Sequence, residues 1–213
     1  MKTHLLSPRQ EKLHALKILN HQIGLWLTIR CAIHVMLCGL LRPPFKELEK
    51  PKTEKELSSR QQISDAVIIY KFLKQRLGQT RALEVTSTVI VASGQLFIDS
   101  FLQDITHDRL VEIDEPTRQA LADDRLSKFP NMTPQITTLT EDALSFRVQH
   151  CHFVHLCAAA GVPELTQAFC KVDDAYFSEV RKDIELTRPQ TLARDNRPCE
   201  FHLKFKPKND AVK

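Results

Sequence analysis

Glycine is scarce in this chain, and the sequence motifs of several common functional classes are missing. Its 213 residues include 5 glycines, and they form no Gly-rich loop that could cradle a phosphate. We therefore do not expect a nucleotide-binding α/β fold. Neither Cys-x-x-Cys nor His-Glu-x-x-His occurs, and His150, His152 and His155 do not follow a recognised zinc spacing. The sequence thus lacks the common signs of a zinc site.

A strong charge of one sign is also missing. The formal net charge is +4, and 42% of the residues are hydrophobic, a fraction typical of globular proteins. The basic residues are not interleaved with aromatic ones, as they are on many nucleic-acid-binding surfaces. We therefore expect no nucleic-acid partner.

A long uninterrupted apolar run is missing as well. The most apolar stretch, residues 23–41, contains Arg30 and His34, whereas a spanning helix needs about 20 mostly apolar residues. We expect a packed core helix there, with a helix on a membrane surface as the alternative, and no membrane partner. The N-terminal residues are polar and carry no readable signal peptide. Six cysteines in such a chain predict reduced thiols and a cytoplasmic location.

The first part of the chain shows helical periodicity. Apolar residues recur three and four positions apart, and a proline-rich segment at residues 42–56 interrupts the pattern. Pro116 is in the first turn of the last predicted helix, where proline is well tolerated. The predicted helices cover residues 8–41, 57–77, 82–103 and 115–129.

The second part alternates between apolar and polar residues, which is the period of a half-buried strand. The predicted strands cover residues 142–151, 183–188 and 199–205, with helix between the first two. We therefore expect an α+β fold, with a helical N-terminal half and a small antiparallel sheet covered by helices in the C-terminal half. We treat residues 1–213 as a single domain. Residues 1–135 form its mainly helical part, and residues 136–207 form the sheet–helix part that carries the site.

The stretch FCKVDDAYF places a thiol three residues before a carboxylate. In a helix, Cys170 and Asp173 lie one turn apart, beside the apolar stripe. Arg188 and Cys199 face inward on the predicted strands, and an inward arginine needs an anionic partner because an unpaired buried charge costs several kcal/mol. Cys151 ends a strand where a helix begins, a position that favours the thiolate.

Each of these residues also has a purely structural explanation. Buried free cysteine is common in protein cores, and Asp173 with Arg188 could be a plain ion pair. From spacing alone, a chemical site and a structural cluster both stay open.

Three segments carry a resemblance to a known family: FRVQHC at residues 146–151, GVPELTQAFCKVDDAYF at 161–177, and IELTRPQTLARDNRPCEFHLKF at 184–205. A strand ends in cysteine, a Gly-x-Pro-Glu-Leu helix carries Cys-x-x-Asp, and an Arg-x-x-Thr-Leu turn precedes a Cys-Glu-Phe strand. In this order and spacing, residues 146–205 resemble the L-2-amino-thiazoline-4-carboxylic acid hydrolase family. The helices before them contribute only a general pattern.

The chain departs from the usual family pattern at three positions. His150 stands where the family usually has arginine, Asp195 where it has glycine, and Glu200 where it has aspartate. None of these departures removes a cysteine, the aspartate or the arginine of the resembling segments.

The resemblance implies hydrolysis of a carbon–nitrogen bond in a small carboxylated, cyclic amidine-like ring, without a cofactor. Cys170 would be the nucleophile and Asp173 the general acid and base. Arg188 would bind the substrate carboxylate through its planar guanidinium. The substrate-binding residues would be Arg188, Thr191, Cys151 and Cys199.

Two alternatives stay open beside this prediction. In the first, the three cysteines with Asp173 or a histidine bind a metal ion. In the second, the chain is a non-catalytic relative that binds a small acid. The predicted partner is small in each case. It is a carboxylated substrate if the chain is a hydrolase and a carboxylated ligand if the chain is a non-catalytic binding protein. Whether the chain forms a homo-oligomer stays open.

Overall fold

Eight α-helices and a four-stranded antiparallel sheet make up residues 8–207, which are the residues that this computed structural model describes. The α+β class and the helical N-terminal half are as predicted. The helices are α1 (Pro8–Ile23), α2 (Leu25–Leu41), α3 (Glu54–Leu102), α4 (His107–Glu112), α5 (Glu115–Ser127), α6 (His152–Ala159), α7 (Thr166–Ala175) and α8 (Leu192–Asp195). A 3-10 turn, Pro163–Leu165, precedes α7, and a π-helical turn, Tyr176–Val180, follows it.

Two glycines interrupt the long helical stretches. Gly24 (φ 76°, ψ 162°) separates α1 from α2, and Gly78 (φ 77°, ψ 167°) breaks α3. Glycine adopts such angles readily, and other residues adopt them only with strain. The break at Gly78 agrees with the two helices predicted on either side of it, whereas the continuous helix predicted over residues 8–41 was wrong at Gly24. Arg81 Nη2 donates to the main-chain oxygen of Gln22 at 3.0 Å, which ties the two breaks together.

The prediction of a packed core helix over residues 23–41 was wrong. Only Thr28 and Cys31 of α2 are buried, while Trp26 is 74% and Leu40 77% exposed. Apolar composition predicted burial, but α2 packs on α1 and α3 through one narrow side. Its wide apolar face therefore points outward.

The central helix of the fold is α3, which contacts α1, α2, α6 and α7. Thr53 begins it, with its side chain accepting a hydrogen bond from Glu56 N. The helical stretch Glu54–Glu112 is long and apolar enough, by length and composition, to cross a membrane, a test that the core helix of a soluble protein also passes. Its contacts with four other helices place α3 between the α1–α2 pair and the helices that cover the sheet.

The sheet has the strand order β1-β2-β4-β3. The strands are β1 (Met132–Leu139), β2 (Ala143–Cys151), β3 (Ile184–Thr187) and β4 (Cys199–Phe205). Phe146 pairs with Phe201 and Val148 with Cys199 in the register of β2 and β4, and all four side chains are buried. The predicted alternation of these two strands is therefore confirmed.

The first strand, β1, was not predicted. Pro134 lies within it, and proline removes a main-chain donor, so it argues against a central strand. In the structure β1 is at the edge of the sheet, with register irregularities beside Pro134 and Ile136. A strand at the edge of a sheet tolerates proline. The sequence around Pro134 therefore did not look like a strand, although it forms one.

A buried arginine fixes the sheet to the end of α3. Arg181 donates to the main-chain oxygens of Leu102 and Ile105 at 2.8 and 2.6 Å and pairs with Asp183. Unpaired carbonyls at a helix end need such partners. Because Asp183 directly precedes β3, this contact also positions the strand that leads to Arg188.

Candidate active site

Arg188 is at the centre of the candidate site, directly after β3. Its side chain is only 6% exposed. Nη1 donates to Asp173 Oδ2 at 2.8 Å, and Nη2 donates to the main-chain oxygen of Cys170 and to Asp174 Oδ2, each at 2.8 Å. The guanidinium also lies 5.3 Å from the ring centre of Phe201, close enough for a cation–π contact. The inward arginine and its anionic partner were thus predicted from the strand and helix periods.

Asp173 lies on the side of α7 next to the apolar stripe, as its spacing predicted. Burial is the main influence on its carboxyl group and raises its pKa to about 6, with Asp174 adding to the increase and Arg188 opposing it. The carboxyl group therefore changes its charge close to neutral pH. A group of this kind can both accept and return a proton during a reaction.

Cys170 lies one helical turn before Asp173. Burial, and then the charge of Asp173, raise the pKa of its thiol to about 12. The resting thiol is therefore protonated at neutral pH. Reactive cysteines more often lie in electropositive surroundings, and burial next to a carboxylate has the opposite effect.

Cys151 and Cys199 lie on the neighbouring strands β2 and β4. Asn131 Nδ2 donates to Cys151 Sγ at 3.6 Å, and Leu192 N donates to Cys199 Sγ at 3.3 Å. Burial raises the pKa of Cys199. A cavity of about 1050 Å³ is lined by both cysteines and also by Cys170, Asp173 and Arg188. The fold therefore brings five of the six predicted site residues to one cavity.

Thr191, the sixth predicted residue, has a role in the local fold. It begins α8, where its hydroxyl oxygen accepts from Arg194 N at 3.1 Å and its own N donates to Asp195 Oδ2 at 2.8 Å. This reciprocal arrangement is a helix-capping pair. It holds the turn between Arg188 and Cys199. The prediction that Thr191 binds the substrate stays a prediction.

In the part of the chain that the structure describes, the cysteines and histidines do not form a metal-binding group. Over residues 8–207, no three or more His, Cys, Asp or Glu side chains are grouped so that they could hold a metal ion. His150, His152 and His155 do lie together, with ring centres 4.9 and 4.5 Å from that of His150. Burial and the neighbouring rings lower the pKa of His150 and His152. The described part of the chain therefore contains no cluster of ligands that would support the metal-binding alternative.

The sequence did not indicate two further contributors to the site. Asp174 is 61% exposed and was predicted to face solvent, yet it shares Arg188 with Asp173. Its neighbouring position on the helix was the only available signal, because the reach of the arginine across the helix is a tertiary property. Phe201 was predicted to face inward, but no sequence pattern indicated that it would lie against the guanidinium.

The fold and the site together define an α+β protein in which a buried arginine joins a carboxylate and a cysteine at a cavity. Residues 58–203 match the model of the family described as L-2-amino-thiazoline-4-carboxylic acid hydrolase, and the chain belongs to this family. The resemblance of residues 146–205 is therefore confirmed. The match begins within α3, earlier than those segments indicated.

Two other comparisons add no functional information. No curated protein matches the chain. A solved structure, a mutant of the Fe(II) unliganded H-NOX protein from K. algicida, aligns with 93% of this chain and 96% of that chain at 11% identity and a TM-score of 0.38. So low a TM-score supports no conclusion about fold or function.

Proposed function

We propose that the chain hydrolyses a carbon–nitrogen bond in a small carboxylated, cyclic amidine-like ring, the type of substrate after which its family is named. The observation that supports this proposal is the buried Arg188, which is bonded to Asp173 and to the main chain of Cys170 at the cavity wall. A cation suits the substrate carboxylate, a carboxylate suits proton transfer, and a thiol suits attack on the ring carbon.

Asp173 carries the proton in the proposed reaction. With a pKa raised to about 6 by burial, its carboxyl group is mostly ionised at pH 7 and is ready to accept a proton. Its conjugate acid is strong enough to return that proton to a leaving nitrogen. This match between pKa and working pH is what general acid–base catalysis requires.

Cys170 is the proposed nucleophile, and it begins the reaction as a thiol. The bond between Sγ and the ring carbon forms while the thiol proton passes to Asp173. The ring carbon–nitrogen bond then breaks, and the nitrogen takes the proton from Asp173. Asp173 next deprotonates a water molecule, which replaces sulfur at the carbon, and the proton finally returns to Cys170 Sγ.

Arg188 binds the substrate carboxylate in this proposal. A guanidinium has five N–H groups, and three of them donate to Asp173, Asp174 and the main chain of Cys170. We assign the ligand carboxylate to the others. Cys151 and Cys199 line the cavity around the ring.

Thr191 has a supporting role in this proposal, because it caps the turn between Arg188 and Cys199.

A cytoplasmic location is also part of the proposal. The six cysteines are all free thiols, which supports a reducing, cytoplasmic location.

Turnover of L-2-amino-thiazoline-4-carboxylate, followed by mass spectrometry, tests the proposal. We expect Cys170→Ala and Asp173→Asn to lower kcat by at least about 10²-fold while the substrate still binds. Arg188→Lys keeps the charge but loses the planar fork, so it should mainly raise KM. Cys38→Ala is the matched control, because Cys38 lies outside the cavity lining, and melting temperatures identify variants that do not fold.

Two results would contradict the catalytic assignment. If Cys170→Ala turned over as fast as Cys38→Ala, Cys170 would not be the nucleophile. Substrate binding to the unmodified protein without any turnover would instead favour the non-catalytic binding protein.

A further inference from the structure

The cavity is much longer than the site that Arg188 and Asp173 form. From these two residues the cavity continues between the parts of α3 that lie before and after the break at Gly78, and it reaches α1 and α2. Ligand pockets of about 300–1000 Å³ hold drug-sized molecules, and this cavity, which is open to solvent on one side, has a volume of about 1050 Å³. A single five-membered ring with one carboxylate fills only a small part of that space.

The walls beyond the site are mainly apolar. The part between the helices is lined by side chains such as Leu19, Val35, Val89, Ile90 and Ile98. Four of these side chains, Leu19, Val89, Ile90 and Ile98, are at most 7% exposed, so they offer an apolar surface that is largely shielded from water. An apolar portion of a ligand would leave water when it enters this space, which contributes about 0.8 kcal/mol for each buried CH₂ group.

The cavity reaches the surface at α2. Met36, Gly39 and Leu40 line it and are exposed to solvent. Arg188, in contrast, is buried with a 6% exposed side chain. The cavity is therefore charged at its buried end, and its walls between that end and α2 are mainly apolar, although the exposed Ser58, Gln62 and Asp65 of α3 also line it.

We infer that the chain acts on an amphiphilic molecule, with a small carboxylated head at Arg188 and an apolar tail, such as an alkyl chain, between α3 and the α1–α2 pair. The position of the head rests on the proposed function. The tail follows independently from the volume and lining of the cavity. In this pose the end of the tail lies near the exposed apolar side of α2.

Binding of straight-chain carboxylates of increasing length, measured by calorimetry below their aggregation concentrations, tests the inference. We expect affinity to rise about fourfold for each added methylene, until the chain fills the cavity and the gain stops. Alcohols of the same length should bind more weakly, because they lack the charge that Arg188 pairs with. An affinity that does not change with chain length would overturn the inference.

Variants that fill the cavity far from the site make the test specific. Ala32→Phe on α2 and Ala15→Phe on α1 each place a ring in the tail region, since both alanines line the cavity. We expect them to abolish the gain from long chains and to leave acetate and the ring acid bound as before. Using two variants on different helices guards against one that does not fold. Long-chain binding unaffected by both folded variants would show that the chains bind elsewhere and would overturn the inference.

The results also separate this inference from the proposed function. Ring hydrolysis without any effect of chain length would leave the proposed function in place and overturn the tail. Strong chain-length dependence without ring hydrolysis would support the amphiphilic ligand and contradict the catalytic assignment. Equal binding of alcohols and carboxylates would contradict the charged head and therefore overturn the inference as stated.

Discussion

Asp173 influences the protonation of Cys170, because the two residues lie one turn apart on the same side of α7. The charge of Asp173 is one of the causes that raise the pKa of the Cys170 thiol to about 12. At pH 8, about one such thiol in 10⁴ would be ionised. The resting reactivity of Cys170 is therefore low, whatever its role in turnover.

Asp173→Asn should increase the rate at which iodoacetamide alkylates Cys170. The substitution removes the negative charge that opposes the thiolate and leaves Arg188 nearby, so the thiol pKa falls. A decrease of one pKa unit, the lower end of the effect of a near charge, gives about a tenfold faster reaction. Mass spectrometry of the peptide that contains Cys170 measures the rate.

Asp174→Asn is the matched control for this experiment. Asp174 also pairs with Arg188, but it is not among the charges that raise the Cys170 pKa. Its substitution should leave the alkylation rate close to that of the unmodified protein. Equal alkylation rates in the Asp173→Asn and Asp174→Asn variants would mean that the charge of Asp173 does not affect the Cys170 thiol as their positions indicate.

The pH dependence of kcat should report the ionisation of Asp173. The proposed base must be ionised to accept a proton, and burial raises its pKa to about 6. Activity should therefore rise with pH through about 6, falling about tenfold per pH unit below that value. A bound substrate carboxylate adds negative charge, so the midpoint of kcat should lie at or above the value for the free protein. A profile flat between pH 5 and 8 would remove Asp173 from the proton transfer.

The positions of the site residues could be predicted from the sequence, but their protonation could not. The helix and strand periods put Asp173 and Arg188 on facing surfaces, and their 2.8 Å contact is what those periods implied. The pKa values depend on how completely neighbouring elements exclude water, a property of the tertiary structure. Thr191 shows the same limit, because the sequence does not tell whether a hydroxyl faces a cavity or caps a short helix.

At the scale of elements, the contact between α3 and α7 depends on a residue without a side chain. A Cβ atom at Gly94 would lie 2.5 Å from Val172 Cγ1 and 2.8 Å from Cγ2. Real contacts are never so close, and valine has little freedom to move aside. Glycine at this position lets α7, and with it Asp173, lie directly against the central helix.

Gly94→Ala should destabilise the protein even though alanine favours helices by about 1 kcal/mol over glycine. Overpacking costs about 1–3 kcal/mol, and subtracting the helix gain leaves a net loss of up to about 2 kcal/mol in the free energy of unfolding, measured by urea denaturation. Gly39→Ala in α2 is the control, since a Cβ there meets nothing within 4 Å, and it should be neutral or stabilising. Stabilisation by both substitutions would mean that the two helices can separate without cost.

Elements with a strong local pattern were predicted, and those set by their neighbours were not. Strands β2 and β4 alternate clearly, and the break of α3 falls where the predicted helices are separated. Strand β1 contains Pro134 and is held by pairing with β2. The break at Gly24 was missed because a single glycine is tolerated inside many helices.

At the scale of the whole molecule, one face of α2 leaves a large apolar area uncovered. Of the thirteen exposed large hydrophobic side chains in the described residues, eight are on this helix. Exposed apolar areas of this kind mark interaction sites more often than chance. The face carries little charge, with Arg30 as the only Lys, Arg, Asp or Glu residue of α2. That composition suits another apolar protein surface better than an anionic membrane, for which several basic residues are expected.

We therefore expect the chain to self-associate through α2, and the homo-oligomer left open by the sequence stays a prediction that this face can test. Sedimentation equilibrium should give a mass above the 24.5 kDa of one chain. Trp26→Gln with Leu40→Gln should return it to 24.5 kDa with little change in melting temperature. Val111→Gln, at another exposed apolar site, should leave the assembly unchanged. A monomeric unmodified protein would contradict the prediction.

The cavity walls come from parts of the chain inside and outside the family match. Residues 58–203 carry the family pattern, and they supply the arginine, the aspartate and the cysteines of the site. Helices α1 and α2 precede that match and supply the opposite wall and the mouth. Substitutions in the two helices can therefore alter which molecules fit, while the reacting groups stay the same. Relatives that share residues 146–205 with this chain would then differ in substrate range according to what precedes their first matched helix.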